Sequence, residues 1–271
     1  MFGLWGVRPT WIADSGFCAV SGSKRVPPNR DTAPVVQKLR LKYAKRGRLR
    51  FSSHRDFQRA LERALRRSHI PMGYSAGFSP HPKISYANSA PTGTASEAEF
   101  VEIGLVEPMD PERVRMLLDE ALPPGLDIVE VVEAKEGDFA HRLEASEWQI
   151  ALPGVPHDLA QAAVEGFLSA TEIEVSRRTK TGMRSFDARG PVLALEVTAD
   201  DDGCAILTAI VRHVTPAVRP DDLLSALANR AQLVPPVPAV VTRLAQGPLV
   251  GRGNPEITGS PSIGDPFAPD R

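Results

Sequence analysis

Two hydrophobic periods meet between residues 39 and 65, and they restrict the fold more than any other feature of the sequence. Leu39, Leu41 and Tyr43 alternate with Arg40, Lys42 and Ala44, the period of two that gives a strand one apolar and, here, one largely basic face. Gly47 offers a turn or bulge, and Leu49 and Phe51 continue the alternation. The period then changes. Phe57, Ala60, Leu61, Ala64 and Leu65 recur at helical spacing and predict an inward face. Ser53 followed by Asp56 has the form of a capping box, with Asp in place of the preferred Glu, and marks the helix start.

The alternation of elements continues along the chain. Residues 83–86 (KISY) predict a second strand, and Phe100, Ile103 and Leu105 belong to a third. Asp110 as cap and Pro111 at the first helical position open another helix, with Val114, Leu117, Leu118 and Ala121 on its apolar face. Pro123-Pro124-Gly125 close it, and residues 127–132 give a fourth strand. Strand, helix, strand, strand, helix, strand is the split βαβ, ferredoxin-like order. A fainter copy follows, with strands at 148–152, 173–177, 192–197, 205–211 and 239–244 and helices at 158–168 and 221–228, one strand too many for the simple pattern. The expected fold is therefore α+β, two ferredoxin-like modules side by side over residues 35–145 and 146–245. A doubly wound sheet would need a long parallel βαβ alternation that is missing. Residues 1–34 and 246–271 are rich in Gly, Pro and polar residues without period and predict disordered tails.

Charge is balanced overall, 32 basic against 33 acidic residues, but unevenly placed. Residues 38–69 hold twelve Lys and Arg against two acidic residues, whereas residues 97–147 hold four against fifteen. Such a division suits an electropositive face for a polyanion; it equally suits two blocks that neutralise each other across the fold. No apolar run approaches the ~20 residues of a membrane helix, and the N-terminal residues, interrupted by Arg8, Pro9 and Asp14, make a poor signal peptide. A cytoplasmic protein with no membrane association is expected. Cys18 and Cys204 cannot build a disulfide framework or a four-thiolate site, and no His, Cys, Asp and Glu spacing points to a metal.

The candidate chemistry lies in the basic block. Arg55, Arg59, Arg63 and Arg66 share one helix face, with only Glu62 offering local neutralisation, four residues before Arg66. His81 stands between Pro80 and Pro82, so its ring is carried by a stiff loop. It suits general acid–base work, a bond to phosphate, or pairing with Glu97 or Glu99; it also suits a structural tether to backbone carbonyls. His54 reads as a turn or capping residue. A second basic cluster, Arg177, Arg178, Lys180 and Arg184 around Gly182, has the composition of a phosphate-contacting turn or of a solvated hairpin tip. Tyr43, Tyr74, Phe78 and Tyr86 are aromatics for stacking on unpaired bases, or core residues.

The run YAKRGRLRFSSHRDFQRALERALRRSHIPMGYSAGFSPHPKISYANSAPTGTASEAEF, with the later RRTKTGMRSFDARG and VRPDDLL, resembles the radical-SAM-associated domain of unknown function over residues 35–244. That domain is fused behind a radical SAM enzyme in some bacteria and stands alone in others. The resemblance implies an association with radical SAM chemistry and brings no catalytic residues with it. The sequence has no CxxxCxxC motif, so the iron–sulfur cluster and S-adenosylmethionine are expected on a partner and no cofactor in this chain. Three readings follow. The first is an RNA-binding accessory, contacting RNA through Arg55, Arg59, Arg63, Arg66, Lys83, Arg177, Arg178, Lys180 and Arg184. The second is a metal-independent RNA-processing endonuclease with His81 catalytic, beside Lys83 and Tyr74. The third is a protein-interaction scaffold.

Overall fold

A computed structural model describes residues 32–135, 137–179, 182–251 and 261–271. The tail expected over residues 1–34 lies, apart from its last three residues, outside the described residues. The first half contains β1 (Gln37–Lys45), α1 (His54–Arg67), β2 (Ile84–Ala87), β3 (Ala95–Leu105), α2 (Pro111–Ala121) and β4 (Leu126–Glu133). The capping signals act as anticipated, but residues 47–51, expected to continue the alternation of β1, form a short 3-10 helix that leaves Phe51 exposed. Ser53 Oγ accepts from the Asp56 amide at 3.3 Å while Asp56 Oδ2 accepts from the Ser53 amide at 3.1 Å, closing the capping box of α1. Helix α1 ends before Pro71, because Ser68 caps it and His69 turns into the left-handed region at φ 51°. Asp110 caps α2.

The second half contains β5 (Ala145–Pro156), α3 (His157–Leu168), β6 (Glu174–Thr179), β7 (Gly182–Asp187), β8 (Val192–Ala199), β9 (Cys204–Arg212), α4 (Pro220–Ala231) and β10 (Val240–Gly247). The surplus strand is β6, which leaves the main sheet and pairs with β7, a strand the sequence did not predict, as a separate two-stranded ribbon. Only its inner face is covered: Val175 is buried, and Phe186 opposite it packs on the second core.

The architecture is mixed α+β, with four helices and one eight-stranded sheet in the order β4-β1-β3-β10-β5-β9-β8; β2 lies beside β3 off that path. The two halves of the chain are thus joined in a continuous sheet. Strand β3 makes the join. Its residues 100–103 pair with β2, and its first residues, Ala95 and Ser96, run parallel to Thr242 and Arg243 of β10. Every other pairing in the sheet is antiparallel. Two cores form under the helices, one built on Leu39, Leu61, Ile103 and Leu118, the other on Trp148, Ile150, Phe167 and Leu227.

Of the disordered tail predicted for residues 246–271, residues 252–260 lie outside the described residues, and the rest includes a segment packed in a third, smaller core. Strands β11 (Leu249–Val250) and β12 (Ser262–Ile263) pair with each other. Phe267 is fully buried against Phe100 and Phe139, with ring centroids 5.3 and 5.6 Å away, a burial worth about 1.5–3 kcal/mol. Asp270 then takes both carboxylate bonds from Arg40 Nη1, at 2.8 and 2.7 Å. The basic face of β1 therefore serves in part to hold the C-terminal segment, which composition alone marked as a tail. Among the described residues no helix is long and apolar enough to cross a membrane.

Candidate functional site

The two charge blocks neutralise each other along the sheet but not over α1. Lys38 and Arg40 both reach Glu102, at 3.0 and 3.1 Å, and Arg46 joins Glu97 and Asp127. On α1 the core side is Phe57, Leu61, Ala64 and Leu65, so the helical period turns Arg55, Arg59, Arg63 and Arg66 outward, where all four are exposed. Arg66 donates to the carbonyl of Glu62 at 3.2 Å. None of the four forms an ion pair with a described residue, so each guanidinium faces water.

His81 sits at the end of this stripe. Its amide donates to Ser75 Oγ at 3.0 Å and its carbonyl accepts from the Ser75 amide at 2.9 Å, which fixes the loop by its backbone. The ring lies exposed in a small cleft of about 110 Å³ with Glu62, Arg66 and Tyr74. Neither carboxylate named as a partner reaches it, because Glu97 is held by Arg46 and Glu99 by Arg243. Lys83 is exposed in a different depression, beside Val35 and Lys38, away from the His81 cleft. The four aromatics divide. Tyr43 is buried and stacked on Phe57 at 4.0 Å, and Tyr86 is half-buried, its phenol pushed up by loss of solvent and by Glu62. Tyr74 and Phe78 are exposed.

The second basic cluster also divides. Arg177 is committed to structure: it pairs with Asp222 at the start of α4, donates to the Ala217 carbonyl at 3.2 Å and covers the Phe186 ring at 5.0 Å. Arg178 and Arg184 are exposed on the ribbon. Lys180 lies outside the described residues.

Sequence reasoning missed a pocket of about 850 Å³ where the two halves meet. One wall is the loop after β2, including Asn88, Ser89 and Thr92; the other is the segment leading into α4, including Thr215, Val218 and Arg219. Trp148 and Arg243 line it between these walls. Arg243 is almost fully buried, pairs with Glu99 at 3.2 Å, donates to the Asn88 carbonyl at 2.6 Å and lies 4.7 Å from the Trp148 ring centroid. Burial lowers its affinity for its proton, and Glu99 opposes that effect. Ser89 Oγ lies 3.1 Å from His54 Nδ1, tying the loop to α1, so His54 does more than start a helix. His213 donates from Nδ1 to the Leu143 carbonyl and accepts at Nε2 from Ser146 Oγ, both at 2.7 Å. Burial depresses its pKa, helped by Arg243 and opposed by the Leu143 bond. The signal available in the sequence was an arginine inside the apolar strand VVTRLA and a glutamate inside AEFVEI: charges in strand interiors demand partners.

Residues 38–220, which include α1, the His81 loop, the Asn88 loop and the ribbon, match the family described as "Uncharacterized protein conserved in bacteria (DUF2344)". The chain belongs to this family. No curated protein matches it. The matched span stops at the first residue of α4, so Arg243 lies beyond it.

Proposed function

We propose that this protein is an RNA-binding accessory that presents tRNA or rRNA to a radical SAM modifying enzyme, the iron–sulfur cluster and S-adenosylmethionine being held by that partner. The carrying observation is the outer face of α1, where Arg55, Arg59, Arg63 and Arg66 stand exposed without a carboxylate partner among the described residues. Exposed Tyr74 and Phe78 on the neighbouring loop add stacking surfaces for unpaired bases. The radical SAM partner rests on the resemblance of the α1-to-β3 and ribbon motifs. We read each half as a split βαβ unit, from the antiparallel orders β4-β1-β3-β2 and β10-β5-β9-β8. The test is RNA binding measured against salt. Arg59→Glu with Arg63→Glu is expected to weaken binding and to flatten the log–log salt slope by about 0.7–0.9 per lost phosphate contact; unchanged affinity and slope refute the reading. Co-purification of a CxxxCxxC protein tests the partner.

A second reading, metal-independent RNA cleavage, is favoured by the cleft that sets His81 beside Tyr74 and Arg66. Cleavage in EDTA that vanishes in His81→Ala supports it, and cleavage that persists removes His81 from the mechanism.

A further inference from the structure

We propose that the pocket between the two halves seats a single nucleotide, with its phosphate on Arg219 and Arg243 and its base against the apolar wall. The lining residues include two arginines and no carboxylate, a composition suited to an anion. Arg243 contributes a specific vacancy for an acceptor. Glu99 and the Asn88 carbonyl occupy only Nη1, while Nη2 makes no hydrogen bond among the described residues. A phosphate oxygen at Nη2 gains a charge-assisted bond there. Arg219 is exposed at the rim and supplies a second cation. The charge comes from these side chains and not from the α4 terminus, because Asp222 already accepts from the Arg219 amide at 2.8 Å.

Size and wall chemistry select the rest of the ligand. About 850 Å³ is much more than a bare phosphate needs and lies within the range of small-molecule sites. Val214 and Val218 give an apolar surface for a ring, and the hydroxyls of Thr92 and Thr215 supply groups for its polar edge or for a ribose. The pocket is not dependent on the arginine stripe, but the Ser89–His54 contact places its rim beside the start of α1. The same chemistry is therefore offered to a free mononucleotide and to one unpaired nucleotide of a strand lying along α1.

The full chain is titrated calorimetrically with inorganic phosphate, with each 5′-ribonucleoside monophosphate and with a single-stranded RNA octamer, alongside Arg219→Glu and Val214→Trp. Both substitutions lie at exposed positions, and circular dichroism checks that each variant remains folded. The expected result is saturable binding of a mononucleotide or of the octamer, weakened about tenfold or more in Arg219→Glu and lost in Val214→Trp. Binding of the mononucleotide assigns a free nucleotide, and binding of the octamer alone assigns a nucleotide within a strand. The proposal is overturned if neither ligand binds, if phosphate binds as tightly as the nucleotides, or if both variants bind like the parent. Octamer binding that responds to Arg59→Glu with Arg63→Glu but not to the pocket variants overturns the pocket and leaves the α1 reading standing; the opposite pattern does the reverse.

Discussion

Replacing Asp270 by Ala tests whether the C-terminal segment is part of the fold. The side chain of Arg40 is 2% exposed and that of Asp270 is fully buried. Asp270 accepts two bonds from Arg40, one from Arg142 at 2.8 Å and one from the Lys135 amide at 3.1 Å. Removing the carboxylate leaves Arg40 with Glu102 and the Gly137 carbonyl but without its closest counter-charge. An ion buried without its partner costs about 3–5 kcal/mol, and that is the loss expected in urea unfolding monitored by circular dichroism. The double variant Arg40→Met with Asp270→Ala should recover part of it, because the stranded charge is gone and the change becomes nearer to an apolar replacement. The pH dependence has a definite sign. Burial acts to raise the Asp270 pKa, but the bonds from Arg40 and Arg142 outweigh it and hold the carboxyl below its ordinary value. A depressed folded pKa gives stability that is present above the unfolded value of about 3.9 and is lost as pH falls through the folded one. The gap between parent and Asp270→Asn should therefore narrow in acid, below about pH 4. A loss under about 1 kcal/mol, with no recovery in the double variant, would falsify the account of a packed C-terminal anchor.

The remaining predictions concern the site. Arg177→Met should cost about 2–3 kcal/mol of stability in denaturant titration, because Asp222 is left buried without its cation; Arg178→Glu with Arg184→Glu should leave the unfolding free energy within about 0.5 kcal/mol of the parent and act on RNA affinity alone. His213, with its pKa depressed mainly by burial, stays neutral in the fold while the unfolded chain protonates, so stability should decline as pH drops below about 6.5; a His213 proton titration by NMR that shows an ordinary or raised pKa refutes this. Tyr74→Ala with Phe78→Ala should weaken single-stranded RNA by about 1–3 kcal/mol per stacked base and leave duplex RNA almost unaffected, and equal losses on both would show that the aromatics do not stack.

The patterns that were readable from residues are those set by neighbours in sequence. The capping box at Ser53 and Asp56, the inward face of α1 and the Asp110 cap each depend on side chains three or four residues apart, and each stands in the structure as the spacing implies. The outward direction of the arginine stripe belongs to the same class, since the helical period fixes it once Phe57 and Leu61 face the core. The extra strand of the second half was less readable. An isolated ribbon and a sheet strand share the same alternation, and only the packing of Val175 and Phe186 on the second core separates them.

What the sequence determined by itself was therefore the four helices, most strands of the main sheet, their order and the exposed basic face of α1. Tertiary structure decided which charges are consumed. Arg40 finds Asp270 across 230 positions, Arg243 finds Glu99 across 144, and Arg177 finds Asp222 across 45. The Arg243–Glu99 pair is set by the parallel contact between β3 and β10, and the other two by where the C-terminal segment and α4 pack, none of which a local period encodes. A charged residue in a strand announces that it needs a partner if it is buried. Only the folded sheet says which one, and so which arginines are left for a ligand.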